Sequence, residues 1–262
     1  VRVVVSSRTD VYENLAAEEL LLDSAPPEPV VFVYRNDAAV VIGKNQNPWR
    51  ECAVSRLDAL GVKLARRITG GGTVFHDPGN LNIACILPRA MYRRDEVLRL
   101  TINGLARLGV AAEITGSTSL AVDGRKISGN AFCYRRDHVL HHGTLLWEAD
   151  LEKLRAALVP DLPDIETRAV ASNPMPVINL CDRLPGLTIE MLAETVIAAM
   201  ADAWETPVRE DDLPDVGDQV AKLKTWDWLF GATPDFSYQT EDRSVQVHRG
   251  RNVTTGERFS SR

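Results

Sequence analysis

Apolar positions along the chain change period several times, and each change marks an element. Val30–Tyr34 and Ala39–Ile42 are short β-branched runs on either side of Asn36-Asp37, a pattern that predicts a hairpin. Residues 1–5, Val-Arg-Val-Val-Val, read as an edge strand. The stretch 12–22 follows Asp10, a helix-capping residue type, and stops before Pro26-Pro27, so a helix is expected there. Pro48 suits the first turn of a second helix, reaching Leu60 and stopping at Gly61. Residues 62–65 and 81–87 read as strands on either side of a glycine-rich segment. After Asp95, the apolar positions Val97, Leu100, Leu105 and Leu108 keep a helical period as far as Gly109.

The second half begins with strands. Ser119–Val122 and residues 125–128 flank Asp123-Gly124, a pair that favours a type I′ turn, and 139–147 supplies another strand. Asp150 caps a short helix ending before Pro160. Residues 160–187 hold several prolines and no period, which predicts an extended loop packed over the site. Thr188 caps a helix through Trp204, with Glu190 in its first turn where the helix dipole favours an acid. From Trp226 the chain runs Trp-Asp-Trp-Leu-Phe-Gly-Ala-Thr-Pro-Asp-Phe and then one weakly alternating strand. Strands and helices mix without regular βαβ alternation. The expected class is α+β, a mixed, largely antiparallel sheet packed with helices.

Composition narrows the picture. With 262 residues, 45% hydrophobic and 25% charged, the chain has the balance of a globular protein large enough for one domain with an appendage. Its net charge of −6 gives no reason to expect nucleic-acid affinity. The four cysteines are scattered without C-x-x-C spacing, which fits reduced thiols better than disulfides or zinc. No apolar run approaches the roughly 18 residues of a membrane span, and the N-terminus does not read as a signal peptide. The expectation is a cytoplasmic protein with no membrane association.

Three segments carry candidate chemistry. In Arg66-Arg67-Ile68-Thr69-Gly70-Gly71-Gly72-Thr73-Val74-Phe75-His76, three glycines follow a basic pair. Such a stretch is either an anion cradle, with backbone N–H groups and an arginine holding phosphate or carboxylate, or a plain turn. The spacing of neither a Walker loop nor a dinucleotide fingerprint is present. In Gly124-Arg125-Lys126-Ile127-Ser128-Gly129-Asn130-Ala131, Lys126 is either a solvated edge residue or a fixed charge for a phosphoanhydride and its attacking carboxylate. In His141-His142-Gly143-Thr144, adjacent histidines on a strand point to opposite faces, so they make a poor metal pair.

These segments, with Asn14-Leu15-Ala16-Ala17-Glu18-Glu19 and Val40-Val41-Ile42-Gly43-Lys44-Asn45-Gln46-Asn47-Pro48, fall in the order seen in the lipoate–protein ligase A family, which residues 10–236 resemble. The resemblance implies the biotin/lipoate protein ligase catalytic fold, akin to class II aminoacyl-tRNA synthetases. It implies activation of lipoate with ATP and Mg2+ to lipoyl-adenylate, then transfer to a lysine of an acceptor. Acceptors would be lipoyl carrier domains of 2-oxoacid dehydrogenase complexes or a glycine cleavage H-type protein. Lys126 would be the catalytic residue against the acyl-phosphate. Arg67, Gly71, Gly72, Thr73, Val74, Phe75 and His76 would wrap adenylate and acyl chain, and Gly129, Ala131, His142 and Gly143 would line the same pocket. Val74, Phe75, Ala131 and Leu145 are the apolar candidates for an acyl tunnel.

Two departures from the family pattern bear on mechanism. Where many ligases carry an Asn-Asp pair that places magnesium and phosphate, this chain has Thr118-Ser119, which leaves Thr118 as the candidate magnesium contact. Two-domain members continue with an accessory domain, whereas here a catalytic domain over 1–236 is followed by a tail, 237–262, too short to fold alone. That raises a separate accessory-domain protein as a partner. It also raises two alternatives: a lipoyl/octanoyl transferase using a preformed donor, or a non-catalytic lipoyl-adenylate-binding subunit. Acyl-cysteine octanoyltransferases of one branch place the nucleophile just before the Gly-Arg-Lys hairpin, and residues 115–123 contain no cysteine.

Overall fold

The computed structural model describes residues 1–205 and 207–261. Contacts divide the chain into two compact units: Val1–Asn36, Asp77–Ala149 and Pro174–Val216 form the first; Asp37–His76, Asp150–Asn173 and Gly217–Arg262 form the second.

The first unit is built on an eight-stranded sheet in the order Arg209–Asp211, Arg2–Val5, Val30–Tyr34, Asn80–Pro88, His138–Leu146, Arg125–Tyr134, Ser119–Val122, Glu113–Thr115. The first three run parallel and the remaining pairs antiparallel. Asn80–Pro88 is buried almost end to end, as a central strand covered on both faces must be. On one face the helices Arg94–Arg107 and Ile189–Ala203 bring Val97, Leu98, Leu105, Leu192, Val196 and Met200 against Val33, Ile83, Cys85, Val139 and Leu145. The helix Val11–Asp23, capped by the Asp10 carboxylate on the N–H groups of Tyr12 and Glu13, packs on strands of the same sheet. Thr188 caps its helix as expected, through the N–H of Met191.

The second unit carries a three-stranded sheet, Lys63–Arg66, Ala39–Ile42, Val74–His76, and a four-stranded antiparallel sheet, Glu166–Thr167, Phe236–Gln239, Ser244–His248, Arg251–Asn252. One core gathers Val40, Ile42, Leu57, Val62, Phe75 and Ala157; another stacks Trp49, Phe236, Val245, Val247 and Phe259.

Several expectations are corrected. Val30–Tyr34 and Ala39–Ile42 are strands but not a hairpin: each pairs with strands remote from the other, in separate sheets. Arg2–Val5 is not an edge, because Arg209–Asp211 pairs outside it. The helix expected over 48–60 is the four-residue Pro48–Glu51 followed by a 3-10 turn, Val54–Arg56. Its interruption is chemical: Ala53 donates its N–H to Ala157, and Ser55 gives both N–H and hydroxyl to Asp161, leaving Cys52 extended. The tail holds three strands instead of one. Residues 237–261 group with the second unit, Arg262 lying outside the described residues. Among the described residues, no helix is long and apolar enough to cross a membrane.

Candidate active site

Within the first unit, the sheet register sets the site. Phe32, Ala84, His142 and Ala131 lie side by side in one row across four strands, and Tyr34, Asn82 and Thr144 form the next. The imidazole Nδ1 of His142 lies 2.9 and 2.8 Å from the two oxygens of Glu18, which comes from the helix Val11–Asp23. The Tyr34 hydroxyl donates to the same carboxylate at 2.9 Å. A carboxylate only accepts, so the His142 proton is held on Nδ1. Thr144 accepts from the N–H of Gly129 at 3.1 Å, joining the histidine and lysine strands.

Lys126 reaches this face through a β-bulge. Ser119 pairs with Gly129 and Leu120 with Ser128, but the next residue, Ala121, pairs with Lys126, so Ile127 is the extra residue. Its side chain is fully buried in the core under the helices. Strict alternation from Ala131 would send Lys126 to that core; one added residue returns it to the side of Gly129 and Ala131. The main chain there is fixed from outside the sheet, since Lys126 donates its N–H to Pro176 at 2.8 Å and accepts from Ile178 at 3.1 Å.

His141 and Gly143 belong to the opposite face. His141 is 1% exposed, with Nδ1 3.1 Å from the Tyr92 hydroxyl and Nε2 3.3 Å from Asn130 Oδ1. Burial, followed by its neighbour His142 and then Arg94, pushes its pKa down to about 3, so the ring is neutral. A Cβ on Gly143 would overlap the Asn130 carboxamide, so that glycine makes room for Asn130. Leu145, expected as a tunnel wall, packs in the core on the same side.

Thr118 sits beside this network, its carbonyl accepting from both Asn130 N at 2.9 Å and Asn130 Nδ2 at 3.1 Å. The turn Gly116-Ser117-Thr118-Ser119 offers hydroxyls and no carboxylate, whereas protein-bound magnesium is normally held through one or two carboxylates. Among the described residues, no group of three or more His, Cys, Asp or Glu side chains could hold a metal ion. The donor set does not fit a resident magnesium.

The glycine loop lies in the second unit. Gly71 has φ +83°, the left-handed conformation expected of this stretch. Arg67, 4% exposed, braces the loop: Nε donates to Thr69 Oγ1 at 2.8 Å, and Nη2 to the carbonyls of Gly70 and Gly72 at 2.6 and 2.7 Å. Nη1 reaches Val41 O at 2.9 Å. Arg66 is a second buried guanidinium, bonded to the carbonyls of Gly43, Lys44, Gln46 and Leu229 and to Thr233 Oγ1 at 2.7 to 3.2 Å. Burial lowers its pKa to about 10, still charged at neutral pH. Thr73 donates its N–H to Ser172 and its hydroxyl to Gln46, and the Ser172 hydroxyl donates to Glu51. Phe75 is packed in the core with Val40 and Ile42; Val74 and His76 pair with Val41 and Ala39.

The structure thus brings Lys126, Gly129, Ala131 and His142 to one face of the first unit and turns Gly143 away from it. Sequence reasoning missed Glu18, Tyr34 and Asn130. For Glu18 a signal existed: an acid after Leu15-Ala16-Ala17, on a helix with no basic partner in reach along its own chain.

A sequence model described as the lipoyl protein ligase A/B catalytic domain matches residues 10–201. P. falciparum LipL1, solved in complex with lipoate, is 27% identical with a TM-score of 0.78, covering 96% of this chain and 83% of that one. A lipoate-protein ligase A solved with bound ATP is 25% identical with a TM-score of 0.74, covering 87% and 97%. The bi-partite lipoate protein ligase of T. acidophilum, from a study that includes its E2 lipoyl domain, is 24% identical with a TM-score of 0.74, covering 92% and 98%.

Proposed function

The chain belongs to the lipoyl protein ligase A/B catalytic-domain family, and from that membership we propose that it is a lipoate–protein ligase using ATP. The lipoate carboxylate attacks the α-phosphorus, forming lipoyl-adenylate and releasing pyrophosphate. The amine of an acceptor lysine then attacks the acyl carbon, AMP leaves, and the amine gives up a proton as the amide forms. Magnesium enters as the metal–nucleotide complex, a substrate, and no step is assigned to a metal held by this chain.

Lys126 carries the proposal. It is the lysine that a bulge returns to the face bearing Ala131 and the Glu18-held His142. Its ammonium offsets the charge that develops as carboxylate meets phosphate, and later the charge of departing AMP. Ala131, Ala84 and the His142 ring stand in one row of the sheet, and the acyl chain is assigned to that row. Within the second unit, Arg67 shapes and braces the loop of Gly71, Gly72 and Thr73, whose backbone N–H groups suit an anion. The acceptor is a lipoyl carrier domain; LipL1 with lipoate and the ligase with ATP support the two substrates. Incubation with lipoate, ATP, magnesium and an apo carrier domain should raise the carrier mass by one lipoyl group. No gain, with or without an accessory protein, overturns the reading.

A second reading, transfer from preformed lipoyl-adenylate only, is favoured by the Gly116–Ser119 turn, which lacks a carboxylate for metal-bound phosphates. Carrier labelling by lipoyl-adenylate but not by lipoate plus ATP would establish it. Three of the four thiols are poorly suited to thioester chemistry: burial pushes Cys85 up to about 12 and raises Cys52, and Cys181 is raised by burial and by Asp182 and Glu148.

A further inference from the structure

We propose that Asn130 is the positioning residue that keeps Lys126 on the site face, by clamping the strand pair at its bulge. The inference rests on the role assigned above to Lys126. Asn130 approaches Thr118 twice, with its backbone N–H and its carboxamide Nδ2 both on one carbonyl oxygen at 2.9 and 3.1 Å. The same Nδ2 donates to Ser128 Oγ at 3.0 Å, at the residue adjoining the extra Ile127. These contacts hold Ser119 against Gly129 and Leu120 against Ser128, the last pairs before the register shifts. Hairpin register is otherwise set by the hydrophobic pattern, and a slip of one residue would exchange faces. Here that pattern is weak, because the pairing strand has Gly129 and Asn130 where a buried apolar residue would anchor it.

The direction of the carboxamide is itself fixed. The Tyr92 hydroxyl and the Asn130 oxygen flank the neutral His141 ring, at Nδ1 and Nε2. Only one tautomer serves both: Nε2–H donates to Asn130 Oδ1 and Nδ1 accepts from Tyr92. With its oxygen engaged by His141, Asn130 turns its NH2 to Thr118 and Ser128. Gly143, opposite Asn130 across the strands, supplies the space for that orientation. Every group in the chain from Tyr92 to Thr118 is neutral and donates in one direction. A hydrogen-bonded line of this kind is stiff because each bond polarises the next.

The test uses the full-length protein and three variants. Asn130→Asp keeps the shape and the acceptor for His141 but loses the donors to Thr118 and Ser128. Asn130→Ser is a milder change in case the first folds poorly, and Gly143→Ala displaces the carboxamide without altering it. Calorimetry with a non-hydrolysable lipoyl-adenylate analogue reads affinity in each variant, alone and combined with Lys126→Ala; hydrogen exchange reads the amides of 119–130. Expected are at least tenfold weaker binding for each variant, faster exchange over 119–130, and a further loss of less than twofold when Lys126 is already alanine. Equal losses with and without Lys126 would overturn the proposal, as would unchanged affinity or unchanged exchange. A wild-type-like affinity for Lys126→Ala alone would overturn the role given to Lys126 and this proposal with it. Failure of wild type to ligate lipoate, with the coupling intact, would overturn the ATP-dependent reading and leave the positioning role supported.

Discussion

His142 gives its Nδ1 to both oxygens of Glu18, at 2.9 and 2.8 Å, and that carboxylate, 1% exposed, accepts from Tyr34 as well. A buried carboxylate with three short contacts orients the ring as a second-layer carboxylate orients a metal-bound histidine, fixing tautomer and plane. Glu18→Ala should therefore act in two ways. Stability should fall by about 2–4 kcal/mol, because two buried donors lose their acceptor. The lipoate KM should rise by roughly tenfold, about the effect of one charge-assisted hydrogen bond lost from a pocket wall. Denaturant titration and ligation kinetics read these separately; an unchanged lipoate KM would remove the Glu18–His142 pair from the acyl site.

Lys126→Met removes the charge while keeping most of the aliphatic stem. Ligation should fall by roughly 100- to 1,000-fold, the scale associated with losing one fixed charge-stabilising group. The melting temperature should stay within a few degrees, since the main-chain bonds of Lys126 to Pro176 and Ile178 do not involve its side chain. A fully active Lys126→Met protein would leave the bulge without a chemical purpose.

The contrast between Lys126 and its surroundings shows how far the sequence could be read. The Asp123-Gly124 turn, the two strands it joins and the lysine among them were legible, because turn chemistry and β-branched runs are local. The bulge at Ile127 was not, since it is a property of pairing with Ser119–Val122 and leaves no local mark. The hairpin expected over 30–42 failed for the same reason. Val30–Tyr34 and Ala39–Ile42 are buried throughout, so nothing in their own residues chooses a partner. The glycine loop was read correctly as irregular and permissive, but the use of Arg67 on the loop's own carbonyls depends on a fold that bends those carbonyls toward it. Only one of the three tail strands was legible, because they are short and half exposed, with Val245 and Val247 as the inward pair of Ser244–His248.

Arg66 ties residues 43–46 to the segment after Trp226 within the second unit, and Trp228 returns a hydrogen bond from Nε1 to the Arg66 carbonyl at 2.7 Å. Its partners are carbonyls and a hydroxyl, so the guanidinium is held by dipoles. Arg66→Lys cannot span them, because an ammonium has three donors at one point where the guanidinium offers a planar fork. Arg66→Ala should cost about 3–5 kcal/mol, as several buried carbonyls lose their donors together. Arg66→Lys should recover less than half of that. Trp emission would report release of the 226–233 segment, and two variants as stable as wild type would contradict the hub role.

His141 makes the stability of the protein depend on pH in a defined direction. Its folded pKa, about 3, lies below the ordinary value of 6.5 because burial disfavours the charged ring. Between those values the unfolded chain binds the proton and the folded chain does not, so stability rises with pH. The contribution is complete above about pH 6.5 and is lost as pH falls toward 3. At one proton, the slope is about 1.4 kcal/mol per pH unit. His141→Gln removes the titrating group, so the difference in unfolding free energy between wild type and variant should shrink steadily from pH 6.5 to pH 4. The variant is less stable at neutral pH, where the Tyr92 and Asn130 contacts are intact in wild type, and gains on it in acid. Parallel stability curves over that range would mean that the folded and unfolded chains bind the His141 proton alike, and that burial does not hold the ring neutral in the fold.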